Sequence, residues 1–140
     1  MALKLNRAEV EAYLDEVFPQ VRGHFAIDDL REGGITMRLL NDARHLRPGG
    51  TVSGPAMFSL ADCATYAMIL GMIGRQALTV TTNCSIDFMR KPAAGVDLVA
   101  EGRLLKLGRV LAVAEMMLFS VGQEAPVARA ALTYSIPPAR

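Results

Sequence analysis

The stretch Gly54–Gly74, GPAMFSLADCATYAMILGMIG, carries one charged side chain, Asp62. A carboxylate in so apolar a run is poorly solvated, and it is the stronger base for that when ionised. Read as a helix, the run puts Ser59, Thr65 and Tyr66 at i−3, i+3 and i+4 from Asp62. They share its face and can orient the carboxylate or a water. On these residues alone two readings stay open. Asp62 either does chemistry, as general base or nucleophile, or only hydrogen-bonds Ser59, Thr65 or nearby backbone. Cys63 points about 100° away from its neighbour on a helix and reads as a small core residue rather than a nucleophile. His24 and His45 have no other ligand type at metal spacing. No metal or redox cofactor is implied.

The rest of the chain must supply the elements that hold this carboxylate. Its 140 residues, with 15 basic and 14 acidic side chains, are expected to form one domain over 1–140 without disulfide or metal staples. A net charge of +1 argues against a nucleic-acid partner, because general binders carry a basic stripe. Cys63 and Cys84 lie in apolar segments, which favours a reducing compartment over a disulfide framework. The opening MALKLNRAEVEAYLDEVF is charged throughout, so no secretory leader is expected and the protein is placed in the cytoplasm. Residues 55–74 are long enough to cross a bilayer. Asp62, Pro55 and Gly71 interrupt them, however, and basic residues flank both ends. A buried helix and no membrane partner are expected.

Along the chain, Val10, Leu14, Val17 and Phe18 form one helical stripe over 7–18. Gly33-Gly34 marks a turn between short strands at 24–31 and 34–41, and NDARHLRPGGTVSG reads as a loop. Ser53 or Gly54 caps the apolar helix, Pro55 fits its first turn, and Gly74 stops it. In the next segment strict alternation puts Val80, Thr82, Cys84, Ile86 and Phe88 on one strand face, with Thr81, Asn83, Ser85 and Asp87 on the other. Three more strands follow, with breaks at RKPAAG, Gly108 and Gly122-Gln123, and short connections predict an antiparallel meander. An all-round apolar helix must be enclosed, so a curved sheet wrapped about it is expected. Strand 109–119 is apolar on both faces, which predicts that another subunit covers the outside.

A curved antiparallel sheet around a long central helix is the hotdog fold, an α+β architecture, here with an extra N-terminal helix. GTVSGPAMFSLADCATYA resembles the G-T-V-H-G-G…L-A-D segment of the phenylacetate-pathway (PaaI-like) thioesterases. SIDFMRKPAAG resembles their V-x-F-L-R-P-A-x-x-G strand motif. Both occur in the expected order, and the likeness covers about residues 24–136. The resemblance implies hydrolysis of an acyl-coenzyme A thioester, with Asp62 as catalytic carboxylate and the backbone N–H of Gly54 polarising the carbonyl. It also implies a homodimer or homotetramer with sites at the dimer interface. This suits the chemistry, since a helix N-terminus offers free N–H groups and a favourable dipole. Asp62 is eight residues on, about 12 Å along the axis, too far to act on the same carbonyl. The resemblance resolves this by pairing Gly54 of one subunit with Asp62 of its mate.

The chain departs from the family pattern at Ser53, where histidine is usual, at Pro55 for the second glycine, and at Arg47 near the usual asparagine. Ser53 can still donate a hydrogen bond, and Arg47 can bind a phosphate or an acid. Arg90 and Lys91 can contact coenzyme A phosphates, and Asn83 can line an acyl pocket. The expected substrate is a medium-chain or aryl acyl-CoA. A non-catalytic acyl-CoA binder is the alternative outside enzymology. A hydroxyacyl-thioester dehydratase using His45 is the third reading, but HFPG and a helix glutamate are missing.

Overall fold

In the computed structural model, which describes residues 2–138, Asn6 opens the first helix, α1 (Arg7–Val17), with a capping box. Its side chain accepts from Glu9 N at 2.8 Å, and Glu9 answers on Asn6 N at 3.0 Å, satisfying two N–H groups that a helix start leaves unpaired. Lys4 and Leu5 N–H bind the Gly71 carbonyl at 2.8 and 3.2 Å, which pins the segment before α1 to the central helix. The helix continues through a 3-10 turn, Pro19–Val21, into the hairpin β1 (Phe25–Arg31) and β2 (Gly34–Leu39). Gly33 supplies the positive φ (68°) of that hairpin turn.

The central helix α2 (Gly54–Ile73) is capped by Ser53, whose hydroxyl accepts from Ala56 N at 3.2 Å. Pro55 lies in the first turn, and Gly74, at φ 93°, ends the helix. Its length and composition would suit a membrane span, yet most of the helix is buried inside the fold. In its first turns the strip Gly54, Pro55, Phe58, Ser59 and Asp62 is less than fully covered.

The remaining strands are β3 (Val80–Phe88), β4 (Leu98–Leu107), β5 (Leu111–Ser120) and β6 (Ala128–Ser135). All pairings are antiparallel, in the order β1-β2-β4-β5-β6-β3. The sheet curls around α2, with Ala112, Ala114, Met116 and Leu118 of β5 and Ala128, Ala130 and Leu132 of β6 buried on its inner face. This is the hotdog fold with an added N-terminal helix. At Gly102 a Cβ would run into the Met116 sulfur, so the strand needs glycine there.

Two expectations are corrected. The last four strands are not a simple meander: β4, β5 and β6 run in sequence, but β3 pairs with β6 at the far edge. Residues 89–97 make the crossing. Three strand spacings amount to about 14 Å, well within the ~30 Å reach of nine residues, and placing β3 outside leaves β2 free to pair with β4. Strict alternation along β3 also fails. The pairing with β6 shifts between Thr81 and Asn83, so Thr82 is an extra residue in a β-bulge. Thr81, opposite Tyr134, therefore shares the inner face with Cys84, opposite Leu132, and with Ile86, instead of lying across from them.

Candidate active site

The bulge decides the environment of Asp62. Turned inward, Thr81 donates its hydroxyl to Asp62 Oδ1 at 2.6 Å. Tyr134, from β6, brings its hydroxyl to 2.7 Å from the same oxygen and 2.9 Å from the Asp62 backbone carbonyl. Burial and then the Asp62 charge hold the Tyr134 phenol far above its ordinary pKa, so it keeps its proton and serves as a donor. Oδ2 accepts no hydrogen bond from the described residues. The carboxylate is thus gripped by one oxygen and left open at the other.

Asp62 lines a cavity of about 380 Å³ with Phe18, Tyr66, Thr79, Thr81 and Tyr134. The ring of Tyr66 stacks on Tyr134 (centroids 6.2 Å, planes 18° apart) and meets Phe18 edge-on at 6.4 Å. Its hydroxyl donates to Ala77 O at 2.8 Å, and burial pushes its pKa up to about 12. Thr79 Oγ1 is buried without a hydrogen-bond partner among the described residues, an arrangement that costs about 1–3 kcal/mol. Cys63 is buried, and its thiol is pushed up to about 12, first by burial and then by the Asp62 charge. It is inert as a nucleophile at neutral pH.

The residues singled out from the sequence divide into three groups. Gly54, Arg47 and Arg90 share a second cleft of about 540 Å³, together with Lys91, Phe88 and Met57. A Cβ built on Gly54 meets only the Phe88 ring, at 3.4 Å, so the fold itself does not demand glycine there. Arg90 donates to Pro126 O at 2.7 Å, while Arg47 and Lys91 are exposed and have no carboxylate partner among the described residues. Asp62 and Tyr66 belong to the other cavity, and within one chain the two groups do not meet.

The third group is engaged elsewhere. Thr65 turns back to Ala61 O at 2.9 Å, Ser59 interacts with the Cys63 thiol, and Ser53 caps α2. Neither Ser59, Thr65 nor Tyr66 hydrogen-bonds Asp62, contrary to expectation from helical spacing. Asn83 lies opposite Thr133 on the outer sheet face, away from the cavity, because it alternates with the inward Cys84. Thr81, Tyr134 and Thr79 were missed. Tyr134 had a signal: it is the polar-tipped side chain on the buried face of β6.

His24 and His45 form an unexpected pair, with Nδ1 and Nε2 3.0 Å apart. Arg44 stands 3.3 Å from the other nitrogen of His24. Burial, then His24, lowers the His45 pKa. The His45 carbonyl accepts from Ser53 N at 2.8 Å, so the pair braces the segment that leads into Gly54.

The family model for the Thioesterase superfamily matches residues 49–127, and the chain belongs to that family. It is a hotdog-fold thioester hydrolase. A solved structure from Silicibacter sp. TM1040, provisionally named a thioesterase, is 62% identical, with a TM-score of 0.93 over 99% of this chain and 96% of that one. The PaaI protein of the E. coli phenylacetic acid degradation operon shares the fold at 21% identity, with a TM-score of 0.79 over 94% and 93% of the two chains. A hypothetical thioesterase from Streptococcus pneumoniae TIGR4, solved with coenzyme A, does so at 18% identity and a TM-score of 0.76, over 94% and 98%. No curated protein matches the chain.

Proposed function

We propose that the protein hydrolyses medium-chain or aryl acyl-coenzyme A thioesters, with Asp62 of one subunit and the Gly54 N–H of its dimer mate completing each site. One observation carries this reading. In a thioester hydrolase fold, Asp62 is held through Oδ1 by Thr81 and Tyr134 while Oδ2 stays free at a cavity. A carboxylate held in this way can take a proton from water, or attack the carbonyl itself, without first losing its orientation. The N–H of Gly54 lies in the first turn of α2, where no intrahelical acceptor exists and the dipole favours the developing oxyanion.

Both halves of this arrangement border an open surface. The β3 strand is a sheet edge with exposed Val80 and Phe88, followed by exposed Met89, and an apolar edge strand invites pairing with a second copy. Coenzyme A phosphates then suit Arg47 and Lys91 beside Gly54, with Arg90 at the same cleft. The coenzyme A held by the S. pneumoniae fold neighbour supports this carrier.

The test is thiol release from a panel of aliphatic and aryl acyl-CoAs, comparing the parent with Asp62→Asn. Asparagine keeps an acceptor oxygen for Thr81 and Tyr134, so a loss reads chemistry rather than folding. A fall of about 10²-fold or more is expected. Equal rates in parent and variant would remove Asp62 from the reaction.

A further inference from the structure

A second cavity, of about 330 Å³, lies beneath α1, and we propose that it receives the distal part of a flexible aliphatic acyl chain whose carbonyl stands at Asp62. The proposal rests on the acyl-thioester reading above and narrows its substrate class to medium-chain aliphatic thioesters. Leu14 and Val21 wall the cavity from the α1 side, and Phe25, Ile27 and Met37 from the sheet. It adjoins the Asp62 cavity at Phe18, Cys63 and Tyr66, which line both. Helix geometry sets the two side by side: Cys63 follows Asp62 directly, and Tyr66 stands about 6 Å further along the axis.

The junction selects for flexibility. The Tyr66 ring is fixed by its hydrogen bond to Ala77 O and by contacts with Tyr134 and Phe18. An occupant passing from Asp62 into the second cavity must turn around that ring. A chain of single bonds can turn there, whereas an aryl group attached directly to the carbonyl stops in the first cavity. The volume lies at the small end of ligand sites, about 300–1,000 Å³, which fits a medium rather than a long chain.

The walls also bear on charge and rigidity. Glu11 accepts from Ile27 N at 3.2 Å, and Arg7 donates to Ile27 O at 3.3 Å; these bonds tie α1 to β1. Asp15 pairs with Arg22 at 3.6 Å. Arg22 lines the cavity together with Glu11 and Asp15, and Glu11 also pairs with Arg7 at 3.8 Å, so the charged part of the lining is balanced within the protein.

The test compares the parent with Val21→Phe and Leu14→Phe, two fillings from different elements. Calorimetry measures binding of S-butyl- and S-decyl-coenzyme A, thioethers that cannot be hydrolysed, and kcat/KM is measured for butanoyl-, decanoyl- and benzoyl-CoA. Affinity for the decyl thioether and kcat/KM for decanoyl-CoA should fall about fourfold for each methylene that the new ring displaces. The butyl, butanoyl and benzoyl values should stay at parental levels. Equal changes for butyl and decyl, or none in well-folded variants, overturn the proposal, as does a benzoyl value that falls with decanoyl. If the parent cleaves no thioester, the hydrolase reading fails, and the thioether pair still decides the cavity. A crystal of the parent with S-decyl-coenzyme A decides it without any substitution: a chain running along Phe25 and Ile27 supports it, and a chain elsewhere overturns it.

Discussion

Two inactive variants should restore activity when mixed. Gly54 and Asp62 lie eight residues apart on α2, about 12 Å along its axis, and they open into different cavities. A thioester carbonyl needs both groups at about 3 Å, which one chain cannot supply. The perturbation is Asp62→Asn in one population and Gly54→Pro, which removes the backbone N–H, in the other. The asparagine side chain retains an acceptor oxygen for Thr81 and Tyr134. Proline suits the first position of a helix, and Ser53 before it is extended (φ −77°, ψ 159°), as a residue before proline must be. A Cβ at Gly54 makes ordinary contact with Phe88 at 3.4 Å, so both chains should fold. Each alone should retain about 1% of parental activity or less. When equal amounts are unfolded and reassembled together, about half of the dimers are hybrids, each with one intact and one doubly altered site. The mixture should recover about a quarter of parental activity per chain. Thiol release at saturating acyl-CoA reads the activity, and native mass spectrometry counts the hybrids. Hybrids present at the expected fraction, with activity no higher than the mean of the two variants, would refute the shared site.

Tyr134→Phe removes one of two donors to Asp62 Oδ1 while keeping the ring stacked on Tyr66. A hydrogen bond to a charged group is worth about 1.5–3 kcal/mol, so kcat should fall about tenfold to a hundredfold with little change in KM, as measured by steady-state kinetics. Thr79→Val replaces a buried, unpartnered hydroxyl with a methyl group and should raise stability by about 1 kcal/mol, seen as a higher urea midpoint. His45 has a lowered pKa in the fold because burial and His24 oppose its charge. The unfolded chain therefore binds more protons below the ordinary value of 6.5, and stability should fall as pH drops through that range. The pair is partly solvated, so the slope should stay well below the one-proton limit of about 1.4 kcal/mol per pH unit. Urea unfolding of His45→Gln between about pH 7 and 5 should show a flatter dependence.

What the sequence by itself determined is local. The lone carboxylate in an apolar run, the Ser53 and Pro55 helix start, the Gly74 stop and the order of helices and strands are all written in neighbouring residues. Capping chemistry and hydrophobic period act over one or two turns, so a linear reading can recover them. What grips Asp62 was decided only by the tertiary structure. Thr81 and Tyr134 lie 19 and 72 residues away, and strand pairing leaves no local mark of which residues will meet. The bulge at Thr82 is a single extra residue, yet with a side-chain period of two it turned Thr81 toward the carboxylate, off the face it would otherwise share with Asn83. The placement of β3 beyond β6 and the meeting of His24 with His45 have the same origin. Each depends on how a curled sheet closes around its helix, and that is a property of all six strands at once.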